Sequence, residues 1–235
     1  MLENQARDAI IIALDMSREE ALELCDKLEG KAIWVKVGMT LFYRYGPSIV
    51  DEMRARGLRV FLDLKLHDIP FQIEGAAESA ACVGAEILSL HGLGGAQMAA
   101  AARKGVEAAG TGTQLVAISV LTSMDQSALE SIGVHDEVAT EVSRLAKLAV
   151  GAGAHGIVCS PQEAAQMREL LGPEALIICP GIRPAGSDVG DQKRISTPAA
   201  AISAGASKLV VGRPITKADD PVVAFDSIVN ELMAC

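Results

Sequence analysis

The feature that most restricts the fold of this chain is a repeat. Eight times along 235 residues, a short run rich in Val, Ile, Leu and Ala gives way to a stretch with helix-end chemistry. The runs are Ala9 to Leu14, AIWVKVG, LRVFLDLKL, AEILSLHG, Gln114 to about Leu121, HGIVCS, ALIICP and SKLVVG. Near-continuous apolar runs of this length suit parallel strands buried on both faces. Between them, Ser17 and Glu20 have capping-box spacing, Leu24, Cys25 and Leu28 mark a helical face, and Gly30 suits a helix end. SIVDEMRARG, 72–83, 96–109 and 137–152 read as further helices. In SPQEAAQMRELLG, Ser160 sits at the N-cap, Pro161 at the first helical position, Glu163 in the first turn and Gly172 just past the end. No linker or composition shift interrupts the series. The expected fold is therefore α/β, a single (β/α)8 TIM barrel over 1–235, a class that runs to about 250 residues. A doubly wound open sheet is disfavoured, because DMSREE rather than GxGxxG follows the first strand.

Composition removes several function classes. With 21 basic and 30 acidic residues the net charge is -9, which disfavours a general affinity for nucleic acid or anionic membrane. Seven aromatic residues leave few stacking platforms. Five widely spaced cysteines form no CxxC pair, as expected of reduced thiols. MLENQARDA lacks the pattern of a secretory signal, and no apolar run approaches the ~18 residues of a membrane span. A cytoplasmic protein is the expectation.

The residues with chemical potential fall where a barrel puts its active site, at the C-terminal ends of the strands. Asp15 ends the first strand, Lys36 the second, Asp63 and Lys65 the third, and Thr122 and Ser123 the fifth, with Asp68 just beyond the third. Arg183 and Gln192 lie in the seventh loop, and Gly212 and Arg213 follow the eighth strand. In a strand, residues two apart share a face, so Asp63 and Lys65 point the same way, and charges so placed are costly to bury unpaired. VVGRPI and PGIRP read most simply as a phosphate grip, with glycine allowing close backbone approach and arginine supplying a planar donor fork. Lys65 has carboxylates on either side in sequence, which favours the ammonium over a Schiff-base amine. With Lys36 at the same mouth, an alternating Lys–Asp–Lys–Asp array results. It suits a reaction in which an anionic substrate loses a group and the carbon left behind is protonated. His67, His91, His135 and His155 show no metal-ligand spacing and read as loop or strand-end residues. Neither GxSxG nor GxxxxGK[ST] occurs, and no motif requires a metal or organic cofactor.

Over nearly its whole length the chain resembles the bacterial orotidine 5′-phosphate decarboxylase family, through IIALD, VKVGMTLF, FLDLKLHDIP, HGLGG, LTSM, PGIRP, GDQKR and VVGRPI. The resemblance implies a homodimer that converts orotidine 5′-monophosphate (OMP) to UMP and CO2 without a cofactor, in pyrimidine biosynthesis. It implies Lys65 as the proton donor to C6, Asp63 beside the departing carboxylate, and Lys36 orienting Asp63. It further implies that Asp68 reaches in from the other subunit. Asp15 and Lys36 would contact the ribose, Thr122, with Ser123 as a further candidate, the pyrimidine region, and Arg183, Gln192, Gly212 and Arg213 the phosphate end. Gln72 stands where family members usually have threonine, which changes a ligand contact across the dimer. Two rivals remain: a magnesium-dependent phosphosugar decarboxylase of the same superfamily, expected to carry an acidic metal ligand where Lys36 stands, and a nucleotide-phosphate-binding barrel without catalysis.

Overall fold

The computed structural model describes residues 1–184 and 194–235. Eight parallel strands close into a barrel in chain order: β1 (Ile10–Ala13), β2 (Trp34–Gly38), β3 (Arg59–Leu66), β4 (Ile87–His91), β5 (Gln114–Ile118), β6 (Gly156–Val158), β7 (Leu176–Cys179) and β8 (Lys208–Val211). The expected (β/α)8 architecture is the one observed.

The two-residue period of a strand divides each run between two cores. Ile11, Ala13, Trp34, Phe61, Ile87, Val116, Ile118, Val158, Ile178 and Val210 fill the barrel interior. Ile10, Ile12, Val35, Val37, Val60 and Leu62, with their counterparts on the other strands, pack outward against the helices. The inward columns matter for function, because Lys36 continues the column of Trp34 and Asp63 that of Phe61.

Helix-end chemistry acts as expected. Ser17 accepts from the Glu20 backbone N–H while the Glu20 carboxylate accepts from that of Ser17. Ser160 caps the turn opened by Pro161, and Gly172 ends the helix Ala164–Leu171 at φ 83°. Short helices that were not anticipated include Glu3–Ala9, Met39–Tyr45 and Gln126–Ser131. Each is only six or seven residues long, below what local propensity supports, and is held by tertiary burial of Ala6 and Ala9, Leu41, and Leu129 respectively. β5 ends at Ile118, short of Leu121, so Thr122 and Ser123 belong to the following loop rather than to the strand. No described helix is long and apolar enough to cross a membrane.

Candidate active site

A cavity of about 550 Å³ opens at the C-terminal ends of the strands. Its walls bring together Asp15, Lys36, Asp63, Lys65, Thr122, Arg183, Gly212 and Arg213, eight positions singled out from the sequence. Lys217 also lines it, so among the described residues five cationic side chains face two carboxylates in a chain whose net charge is -9. Local charge here opposes global charge, and an anionic ligand is favoured in this cavity.

The floor is built around Asp63. Register places Ala13 beside Lys36 and Gly38 beside Asp63, so the polar residues stack directly above the apolar barrel core. Asp63 Oδ2 lies 2.8 Å from Lys65 Nζ and 3.5 Å from Lys36 Nζ, and Lys36 Nζ reaches Asp15 Oδ1 at 3.0 Å. Burial alone would raise the Asp63 carboxyl. The ammonium groups of Lys36 and Lys65, with hydrogen bonds from Lys65 and Ser89, outweigh it and hold the group below its ordinary value. Gly38 leaves room for this cluster, since a Cβ there would stand 3.0 Å from Lys36 Nζ and 3.2 Å from Asp15 Oδ1.

The expected shared face of Asp63 and Lys65 is observed, but regular strand geometry does not produce it. Leu62 pairs with Leu88 and Leu66 with Leu90, so four residue steps on β3 span two on β4. Lys65 takes φ 52° and is the one non-glycine residue with positive φ among the described residues. Left-handed backbone in an L-residue stores about 1–2 kcal/mol and concentrates at functional sites. Ser89 on β4 meets this bulge, donating to Asp63 Oδ1 at 2.8 Å and accepting from the Lys65 backbone N–H at 2.9 Å.

The opposite wall carries the arginines. Gly181, at φ 78°, turns the chain after β7 in a conformation that favours glycine, and both it and buried Arg183 line the cavity. Arg213 opens the short helix Arg213–Thr216 directly after Gly212. Arg194 pairs with Glu163 at 2.5 Å and donates to the carbonyls of Val120 and Leu121 at 3.2 Å each, tying the loop after β7 to the one carrying Thr122.

Three of the expected site residues are not in this assembly. Asp68, Gln72 and Ser123 are exposed and do not line the cavity, and Gln192 lies outside the described residues. Asp68 Oδ1 instead accepts from the neighbouring Ile69 N–H at 2.6 Å, just before helix Pro70–Cys82. Sequence reasoning missed Ser89, Gly38 and Lys217. Ser89 had a signal, as a lone hydroxyl inside the apolar run AEILSLHG; Lys217 had none beyond its closeness to Arg213. The histidines are found at strand ends and loops, with the His67 and His91 rings stacked at 5.3 Å beside the bulge. Burial, His67 and Lys65 all push the His91 imidazole below its ordinary value. Among the described residues no group of three or more His, Cys, Asp or Glu is arranged to hold a metal ion.

Comparison with known proteins agrees with this geometry. A family model described as "Orotidine 5'-phosphate decarboxylase / HUMPS family" matches residues 8–228. Orotidine 5′-phosphate decarboxylase of Cutibacterium acnes is 49% identical over 220 residues, 93% of each chain. That of Alkalilimnicola ehrlichii is 48% identical over 226 residues, 96% of each chain. The crystal structure of orotidine 5′-phosphate decarboxylase from Lactobacillus acidophilus superposes with a TM-score of 0.83 at 36% identity, over 95% of this chain and 98% of that one. The chain belongs to the orotidine 5′-phosphate decarboxylase family.

Proposed function

We propose that this chain is an orotidine 5′-phosphate decarboxylase, a carboxy-lyase that converts OMP to UMP and CO2 in pyrimidine biosynthesis. The observation that carries the reading is the Asp63 carboxylate held between the Lys65 and Lys36 ammonium groups, on the floor of a cavity whose opposite wall bears Arg183 and Arg213. In the reaction the bond from C6 to the carboxylate breaks and its electron pair stays on C6. CO2 departs, and a proton from Lys65 Nζ is taken up by C6. Water then returns a proton to the neutral lysine.

Loss of CO2 from C6 leaves a poorly delocalised carbanion, so the chief requirement is a positive charge already aimed at that carbon. Asp63 and Lys36 hold the Lys65 ammonium in place before substrate arrives, so little reorganisation accompanies the reaction. Asp63 also lies beside the departing carboxylate. Asp15 and Lys36 bind the ribose, Thr122 the pyrimidine side, and Arg183, Gln192, Gly212 and Arg213 the phosphate. Binding energy from that remote phosphate offsets the cost of ordering the site. The protein's own groups supply the stabilisation and no cofactor takes part.

The working unit in this reading is a cytoplasmic homodimer in which Asp68 completes the partner's site. Support comes from its exposure on its own chain and from the apolar surface next to it, Ile69 at 63% and Phe71 at 83% exposed, which a second copy would bury. The five free thiols suit a reducing compartment. The test is the ultraviolet change on OMP loss, followed with chelator present. Full turnover is expected, whereas inhibition by chelator would favour the magnesium-dependent rival. Mixing inactive Lys65→Ala with inactive Asp68→Asn chains should restore partial activity, and no recovery would count against a shared site.

A further inference from the structure

Ser89 lies in the middle of β4, fully buried, where the register between β3 and β4 shifts. Because Leu62 pairs with Leu88 and Leu66 with Leu90, residues 63–65 all stand opposite this single serine. Its hydroxyl makes two bonds at once, accepting from the Lys65 backbone N–H at 2.9 Å and donating to Asp63 Oδ1 at 2.8 Å. A hydroxyl can do both because it has one donor and two acceptor sites. The left-handed turn at Lys65 takes its N–H out of the regular ladder, and the serine supplies the missing acceptor.

We propose that Ser89 is a positioning residue for the decarboxylation: one hydroxyl ties the Asp63 carboxylate to the Lys65 backbone and so aims the Lys65 ammonium at the reacting carbon. The proposal rests on Lys65 being the proton donor. Without the hydroxyl, Asp63 Oδ1 loses its hydrogen bond, leaving the carboxylate held only through Oδ2, and the Lys65 N–H is left without its acceptor. The bulge then has a reason to relax toward ordinary strand, moving Nζ off line, and a misplacement of about 1 Å in such an array is worth roughly 100-fold in rate. The bond from Ser89 is also one of the contacts that hold the Asp63 carboxyl below its ordinary value.

Three variants separate positioning from packing: Ser89→Ala removes the hydroxyl, Ser89→Cys keeps the size with a weak donor, and Ser89→Thr keeps the hydroxyl with an added methyl. The measurements are kcat and KM for OMP, the pH profile of kcat, and UMP binding as the check on folding. Ser89→Ala and Ser89→Cys should lower kcat about 10- to 100-fold, leave KM near wild type and move the acid limb of kcat to higher pH, while Ser89→Thr retains most of the rate. The proposal is overturned if Ser89→Ala and Ser89→Cys keep wild-type kcat and acid limb, or if the loss follows size so that only Ser89→Thr is impaired. It is overturned too if both hydroxyl-less variants fail to fold, which would make the hydroxyl a structural requirement. Lys65→Ala is assayed alongside. If it turns over normally, the donor assignment falls first; if it is inert while Ser89→Ala is unimpaired, only the role of Ser89 is lost.

Discussion

The barrel carries a charged cluster at each end, and the two are built to opposite purposes. At the N-terminal end, the Trp34 ring carries the Arg59 guanidinium 4.1 Å from its centroid and the Lys208 ammonium at 4.7 Å. Asp8 closes the group: Lys208 Nζ donates to its carboxylate and its carbonyl at 2.7 Å each, and Trp34 Nε1 donates to its other oxygen at 2.8 Å. These donors are answered within the chain, and the cluster plugs the barrel. At the C-terminal end, Lys36, Asp63 and Lys65 are also paired, yet they face a cavity with three more cations on its walls and depend on a left-handed lysine. One end has its partners and an unstrained backbone. The other combines a strained backbone with an open cavity lined by further cations. Buried charge alone therefore does not mark the active site; buried charge beside strain and open volume does.

The two ends should differ most in their effect on turnover. Asp63→Ala should lower kcat on the order of 10³-fold or more, as expected when a preorganised electrostatic group is removed. Steady-state assay and urea unfolding of the same preparation check this variant and the next. Asp8→Ala should show the reverse, with kcat and KM unchanged and a stability loss on the order of 2 kcal/mol, below the value for a fully buried pair because Asp8 is half-exposed. Burial already pushes the Lys208 ammonium below its ordinary value, and the variant would leave it only a carbonyl. A loss of activity per folded molecule in Asp8→Ala would erase the distinction between the ends.

The smallest effect is with pH. Burial works to raise the carboxyls of Asp63 and Asp8, but neighbouring cations and hydrogen bonds bring both below their ordinary values. A depressed folded pKa contributes stability that is complete above the unfolded value, about 3.9 for Asp, and is lost as pH falls through the folded one. Neither end should therefore loosen between about pH 5 and 8 through these groups. Urea midpoints measured across that range and below it check this, and a fall that begins near neutrality would contradict the paired state of both carboxylates.

Much of this was legible in the chain. The eight strand-helix units follow from apolar periodicity and end chemistry, and Asp63, Lys65, Lys36 and the arginine-bearing loops could be assigned to one rim because a barrel puts strand ends there. What was not legible depends on contacts between distant segments. The bulge that turns Lys65 exists only because β3 and β4 pair in shifted register, and no pattern within FLDLKLHDIP announces it. The plug joins Asp8 to Lys208 across 200 residues, and Lys208 reads locally as the solvated start of a strand. Asp68 has the opposite difficulty: its place in the charged motif was plain, but its side chain is exposed and does not line the cavity of its own chain.

In the proposed reaction Lys65, held by Asp63 and Lys36, protonates the carbon left by CO2. The most direct test is OMP turnover by Lys65→Ala with chelator present, paired with UMP binding by the same variant. Turnover should fall by on the order of 10³-fold or more while UMP still binds through the arginine-bearing wall. Turnover at the wild-type rate in Lys65→Ala would contradict this role for Lys65.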